Sequence, residues 1–166
     1  NKFDAISNNT KLNRILYQLA KKMLLHRSGT LYEDMYWIDL DTLEIVGQEI
    51  DRNIEEAIEY SKQTESIVKK YQNLLTVHSH PNSFPPSIAD FNSNYFNNYA
   101  IGIVICHDGK IYIYNAEESI SEIYYNMTLA EYKNQGYTDF EAQDYTLKEL
   151  SNKFQIRFKE VTGDDV

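Results

Sequence analysis

A continuous apolar run, AIGIVIC at residues 100–106, constrains the fold of this chain more than any other feature. A strand with apolar side chains on both faces must be covered on both faces, as happens in α/β proteins. The run leads into His107-Asp108-Gly109-Lys110, and Asp-Gly is typical of a tight hairpin turn. Residues 111–114 would return as the next strand. We therefore expect the centre of a sheet here, with helices packed on both sides of it.

Periodic segments on either side indicate what those layers are. Residues 12–24 carry apolar side chains at the three-and-four spacing of one helix face, and Ser28-Gly29 ends the pattern. Further helices are predicted at 51–71 (with a break near Gln63-Thr64), from Ser87 onward, at 118–134 and at 138–152. Further strands are predicted within 30–40 and at 43–46, 74–77 and 155–161. The predicted fold is an α/β sandwich with mixed strand directions, a single domain over residues 1–166.

Charge and composition exclude several functional classes. A formal net charge of −9 lacks the basic surface that neutralises phosphates, so we expect no nucleic-acid partner and no anionic membrane surface as partner. No apolar run approaches the roughly 18 to 20 residues that span a bilayer. Cys106 is the single cysteine, which excludes an internal disulfide and a cysteine-based zinc site. We expect a cytoplasmic location, with secretion as part of a larger protein left open.

The stretch TVHSHPNSFPPSIAD, residues 76–90, carries the candidate chemistry. His78 and His80 lie at the end of a predicted strand, and we expect a bend in the backbone to make them converge. Pro81 restricts His80 to extended conformations. Asp90 follows on the first turn of a predicted helix, so three ligands could come from two elements. Such a set leaves a tetrahedral metal one open position, as hydrolytic zinc sites do.

A purely structural alternative exists for the same residues. Ser87-Ile88-Ala89-Asp90 fits the Ser-x-x-acid capping box, so Ser87 and Asp90 could simply begin a helix. On that interpretation the two histidines would be incidental surface groups.

Taken together, the residues resemble the JAMM motif of the JAB/MPN metalloproteases. His78-Ser79-His80-Pro81 matches its His-x-His-Pro, and Ser87 and Asp90 match its Ser-x-x-Asp. The intervening loop has six residues where the common pattern has seven, and we expect Pro85-Pro86 to absorb the difference. Upstream, LLHRSGTLYEDMYW resembles the family's helix, small-residue turn and glutamate-bearing strand. The resemblance covers residues 10–115 and leaves 117–161 uninterpreted.

The resemblance implies a role for each matched residue. His78, His80 and Asp90 would bind one Zn²⁺ per chain, with a water at the fourth position. Glu33 would accept the proton of that water and pass it to the leaving amine. Ser87 would donate a hydrogen bond to the developing oxyanion. It also implies the mixed-sheet sandwich of the JAB/MPN type, related to the cytidine deaminases.

Several other residues compete for these roles. Asp34, which would face the opposite side of the strand, is the alternative base, and Glu44 and Glu49 lie on or near the next strand. His107 is expected to be solvated in its turn, and His26 to contact the carbonyls that end the first helix. Cys106 is expected to be a small residue of the hydrophobic core.

The implied function is that of a zinc-dependent metalloprotease that hydrolyses an amide or isopeptide bond. Its substrate would be a protein or peptide, including a ubiquitin-like modifier joined to lysine, and the compact chain looks more like the bacterial and phage members. Because the sequence begins with Asn1 rather than Met, we expect a processed product or a piece of a larger polypeptide. The alternative is a non-catalytic MPN-like interaction module within a larger toxin, phage or repair-associated protein.

Overall fold

The computed structural model describes residues 1–51, 58 and 60–163, and its centre is a six-stranded mixed sheet. A short 3-10 helix, Lys2–Ala5, precedes the regular elements. The helices are α1 (Thr10–Arg27), α2 (Lys62–Lys70), α3 (Ile88–Phe96), α4 (Glu122–Asn134) and α5 (Asp139–Lys153). The strands are β1 (Met35–Asp39), β2 (Glu44–Glu49), β3 (Leu74–His80), β4 (Ile101–Cys106), β5 (Ile111–Ala116) and β6 (Ile156–Glu160).

Strand order and direction confirm the predicted α/β class. The sheet runs β2-β1-β3-β4-β5-β6, with β3 and β4 parallel and every other neighbouring pair antiparallel. α1 packs on one face against residues such as Ile38 and Ile103, and α3 packs on the other against Val104 and Tyr114. Because both faces are covered, the central strands β3 and β4 can be apolar on both sides.

The predicted helix over 51–71 is only partly confirmed. Residues 52–57 and 59 lie outside the described residues, and the described helix begins at Lys62. Gln63 and Thr64 lie in its first turn rather than at a break. Ser61 caps this helix by accepting a hydrogen bond from the Thr64 N–H, which explains why α2 begins where it does.

The expectation of a backbone bend between His78 and His80 is wrong. β3 continues through both histidines with regular parallel pairing, His78 opposite Val104 and His80 opposite Cys106. Side chains alternate along a strand, so residues two apart share a face and no bend is needed. The regular strand itself brings the two imidazoles together.

Two further features complete the fold. Helix α4 begins at Glu122, after the N-cap Ser121, rather than at 118. In the part of the chain that the structure describes, no helix has the length and hydropathy needed to cross a bilayer.

Candidate metal centre

The centre is built first from the end of β3. His78 and His80 are 2% and 7% exposed, so the alternative of incidental surface histidines is wrong. Their Nε2 atoms lie 3.1 Å apart and point to the same space. The Nδ1 atom of His80 lies 3.1 Å from the Phe84 carbonyl oxygen, which can only accept a hydrogen bond. Nδ1 therefore carries a hydrogen, and Nε2 is the nitrogen that faces the centre and becomes a metal ligand once it has lost its proton.

The N-terminus of α3 delivers Asp90 to the same point. Ser87 Oγ accepts from the Asp90 N–H, and the Ser87 N–H donates to Asp90 Oδ2 at 2.8 Å, so the capping box predicted by the structural alternative does form. The same carboxylate places Oδ1 3.3 Å from His78 Nε2 and Oδ2 3.2 Å from His80 Nε2. Asp90 can therefore cap α3 and contact the histidines at the same time. The six-residue loop between His80 and Ser87 is long enough to place Asp90 against both imidazoles.

Glu33 reaches the centre from the segment just before β1. The Ser79 N–H donates to the Asp34 carbonyl, and the antiparallel register of β1 with β3 places Glu33 opposite His80. Glu33 is 6% exposed, and one of its carboxylate oxygens lies within 4.8 Å of ligand nitrogens on both histidines. Glu33, His78 and His80 form a buried group that could bind a metal ion.

Asp34 faces away from the centre and is fully engaged in an ion-pair cluster. Its Oδ1 accepts from Arg27 Nε at 2.7 Å, and its Oδ2 lies 2.7 Å from His26 Nδ1. Asp34 is therefore a structural group rather than the alternative base. The expectation that His26 contacts the carbonyls at the end of α1 is wrong, since His26 Nδ1 contacts Asp34 instead. A buried carboxylate forms a stronger hydrogen bond with imidazole than a backbone carbonyl does.

Electrostatics favour a cation at the histidine pair. Burial by itself lowers the pKa of His80, but the hydrogen bond and charge of Asp90, and then the charge of Glu33, raise it to about 9. Burial also raises the pKa of Asp90, yet the charges and hydrogen bonds of His78 and His80 hold that pKa well below its usual value. The Asp90 carboxylate is therefore ionised at neutral pH, as a metal ligand must be.

The cleft around this centre has a volume of about 410 Å³, within the range typical of small-molecule sites. Ser87 lines the cleft beside Asp90. Its Oγ atom is the acceptor of the capping hydrogen bond, so that bond does not use the hydroxyl hydrogen of Ser87. Residues that sequence reasoning missed complete the walls and floor: Tyr60, Thr76, Asn82, Ser93, Asn94, Tyr99, Tyr114 and Gln143. The only signal for any of them was helical spacing from Asp90, which places Ser93 and Asn94 on its face of α3.

The two remaining candidates lie beside the centre. His107 is half-buried rather than solvated, and its Nε2 atom has no hydrogen-bond partner among the described residues. Burial also lowers the pKa of His107. Cys106 is fully buried as expected, and burial raises the pKa of its thiol to about 12, so the thiol is unreactive.

The Tyr114 ring packs against His78, and Gly102 leaves the space that this ring occupies. The Tyr114 ring packs edge-on against His78, with centroids 6.3 Å apart, and lies across Gly102 of the neighbouring strand. A Cβ atom on Gly102 would fall 2.2 Å from the Tyr114 ring. The close approach therefore requires glycine at this position.

Gly102→Ala is expected to lower the free energy of unfolding by about 1–3 kcal/mol or more, because the rigid ring must move. Urea unfolding measures this. Gly47→Ala is the matched control, since its Cβ would meet the flexible Ile67 side chain at 3.2 Å. Equal stabilities for the two variants would contradict the conclusion that position 102 requires glycine.

No family model matches the chain, and neither the curated proteins nor the solved structures that were compared with it give a match. The case for a function therefore depends on the geometry of this centre.

Proposed function

We propose that the chain is a JAMM-type zinc metallopeptidase that hydrolyses an amide or isopeptide bond. One observation carries the proposal: Asp90 places Oδ1 3.3 Å from His78 Nε2 and Oδ2 3.2 Å from His80 Nε2, and a Glu33 carboxylate oxygen lies within 4.8 Å of ligand nitrogens on both histidines. A buried arrangement of two imidazoles with two separate carboxylates has one carboxylate more than a three-residue ligand set requires. In this proposal the additional carboxylate, Glu33, acts as the base.

His78, His80 and Asp90 would hold the zinc ion. Imidazole nitrogen and carboxylate oxygen are ligand types that zinc prefers, and the hydrogen bond from His80 Nδ1 to the Phe84 carbonyl orients one of them. When bound, zinc supplies Lewis acidity, which polarises a carbonyl and makes water nucleophilic near neutral pH. Asp90 is fixed in addition by its hydrogen bond from the Ser87 N–H.

Glu33 is the proposed proton carrier. Its carboxylate is buried next to the histidine pair, where it can accept a proton from water and later donate it to the leaving amine. Asp34 cannot replace it, since that carboxylate binds Arg27 and His26 on the opposite face.

Ser87 is the proposed oxyanion donor. Its Oγ atom accepts from the Asp90 N–H, and its hydroxyl hydrogen can then be donated to an acceptor in the cleft. A preorganised donor of this kind is worth about 2.7–4 kcal/mol to the transition state.

The same proposal extends to the fold type, the substrate and the place of action. We infer the JAB/MPN type of sandwich from the order in which the α1 helix, the Glu33 segment, the His-x-His strand and the α3 helix follow each other. A protein or peptide substrate, including a lysine-linked ubiquitin-like modifier, fits an amide-cleaving centre in an open cleft. The net charge of −9 favours such partners over nucleic acid, and we place the reaction in the cytoplasm.

Asp90→Asn is expected to weaken zinc binding by more than about 100-fold, because even groups that only orient ligands contribute about 10–100-fold. Glu33→Gln should leave the affinity within a few-fold of the unmodified protein. Competition with a chromophoric chelator measures both. If Glu33→Gln loses zinc and Asp90→Asn keeps it, Glu33 is the third ligand and Asp90 only caps α3.

The activity itself is tested with zinc-loaded protein on a panel of fluorogenic peptides and modifier-lysine isopeptides. Cleavage that stops on chelation and returns with zinc supports the proposal. Full occupancy without cleavage of any amide would contradict it and favour an interaction module.

A further inference from the structure

The floor of the cleft, next to Asp90, contains hydrogen-bond donors that none of the described residues uses. The floor is formed by Ser93 and Asn94 of α3 together with Tyr60 and Tyr99. Asn94 is 1% exposed, and its Nδ2 atom has no partner within the described chain. Its Oδ1 accepts from the Ala116 N–H at 3.0 Å and from Asn115 Nδ2 at 3.3 Å. Because two donors bind the Oδ1 atom, the side-chain amide of Asn94 is held in one orientation, and Oδ1 and the NH₂ group cannot exchange places.

The hydroxyl groups of the floor also hold a spare hydrogen. Tyr99 accepts from Trp37 Nε1 at 3.0 Å, Tyr60 and Tyr99 share a hydrogen bond of 2.9 Å, and Tyr60 and Ser93 share one of 3.2 Å. Three hydroxyl hydrogens thus serve only two bonds among these three groups. Whichever way the chain of bonds runs, one hydroxyl hydrogen has no acceptor in these bonds and remains for an acceptor other than the described residues.

The acceptor that suits this floor is uncharged. Burial raises the pKa of both Tyr60 and Tyr99, so these side chains stay neutral donors at physiological pH. The Asp90 carboxylate lies at the same cleft, and no lysine or arginine side chain lines it among the described residues, so the floor itself offers an anionic ligand no countercharge. A neutral carbonyl oxygen can accept from Asn94 Nδ2 or from the spare hydroxyl hydrogen, and buried donors left unpaired disfavour a ligand that has no acceptor.

We infer that the floor formed by Tyr60, Ser93, Asn94 and Tyr99 is a specificity subsite for a carboxamide side chain, glutamine or asparagine, of the substrate. This inference rests on the proposed function, because the same cleft contains the metal centre and the subsite adjoins Asp90. The subsite selects the residue next to the bond that is cleaved. Tyr60, Ser93, Asn94 and Tyr99 act as specificity residues and take no part in the proton transfers.

The test is a nuclear magnetic resonance titration of zinc-loaded protein with three matched probes. These are N-acetylglutamine amide, N-acetylglutamate amide and N-acetylmethionine amide, which share one backbone and differ in the side-chain end. The expected result is a saturable shift of the Asn94 side-chain amide signals with the glutamine probe. The other two probes should bind at least about tenfold more weakly, the effect of one hydrogen bond. Equal responses to all three probes, or no shift at Asn94, would overturn the subsite.

Asn92 supplies the control on the same helix. Its amide is paired with the backbone of Ile120 through both Oδ1 and Nδ2, so its signals should not move and Asn92→Asp should not alter probe binding. Asn94→Asp keeps an acceptor for the Ala116 N–H but removes the NH₂ donor, and it should abolish the preference for glutamine. Should Asn94→Asp fail to fold, the Asn94 signals of the unmodified protein still decide the question.

The two proposals fail in different ways. Selective glutamine binding without cleavage of any amide would keep the subsite and overturn the proposed function. Cleavage without preference for glutamine or asparagine, with no shift at Asn94, would keep the function and overturn the subsite.

Discussion

Glu33→Gln is expected to lower kcat by about 10²–10⁴-fold while the zinc content stays unchanged. Glutamine keeps the shape and the hydrogen-bonding ends of the side chain, but it cannot accept the proton of water. The position supports so large an effect because Glu33 is buried within 4.8 Å of both histidines. Steady-state kinetics on the best substrate of the peptide panel, with elemental analysis of the same samples, measures the effect.

Glu44→Gln is the matched control for this substitution. Glu44 lies at the start of β2 with an exposed side chain, and the same chemical change there should leave kcat unaltered. A fully active Glu33→Gln protein would show that the base is another group, and the proposed proton transfers would have to be reassigned.

Asp34→Asn is expected to lower the free energy of unfolding by about 3–5 kcal/mol, because it removes the buried negative charge that faces the Arg27 guanidinium. The Arg27 and Asp34 side chains are 6% and 1% exposed, and Arg27 Nε lies 2.7 Å from Asp34 Oδ1. This ion pair joins the end of α1 to the segment that carries Glu33. Urea unfolding of the unmodified and substituted proteins measures the difference.

A surface ion pair of the same length provides the comparison. Lys148 and Asp144 of α5 also lie 2.7 Å apart, but their side chains are 63% and 26% exposed. Asp144→Asn should therefore cost less than about 1 kcal/mol. Similar losses for Asp34→Asn and Asp144→Asn would mean that burial does not strengthen the Arg27 pair.

The parts of the fold that could be predicted are those with strong local signals. The apolar run that became β4 and the Asp-Gly turn after it are determined by neighbouring residues, and the structure has both. The Ser87 capping box is equally local. The contact of Asp90 with His78 and His80 could be anticipated only through a resemblance, because spacing alone does not fix the distance between a strand end and a helix.

Several of the errors arise where distant residues decide the outcome. His26 was expected at backbone carbonyls, but the fold brings it to Asp34, a charged partner that local sequence cannot reveal. The floor of the cleft depends on Tyr60 and Tyr99, which are far apart in sequence and meet only after the sheet has formed. Gln143 reaches the cleft from α5, a helix that no motif had linked to the site.

The central claim is that His78, His80 and Asp90 hold a metal ion, and metal content tests it most directly. Elemental analysis would be made on protein purified without added metal and again after zinc is supplied, with His80→Ala alongside. The account predicts about one zinc ion per chain in the unmodified protein and its loss in His80→Ala. No metal in either protein, even after zinc is supplied, would contradict the account.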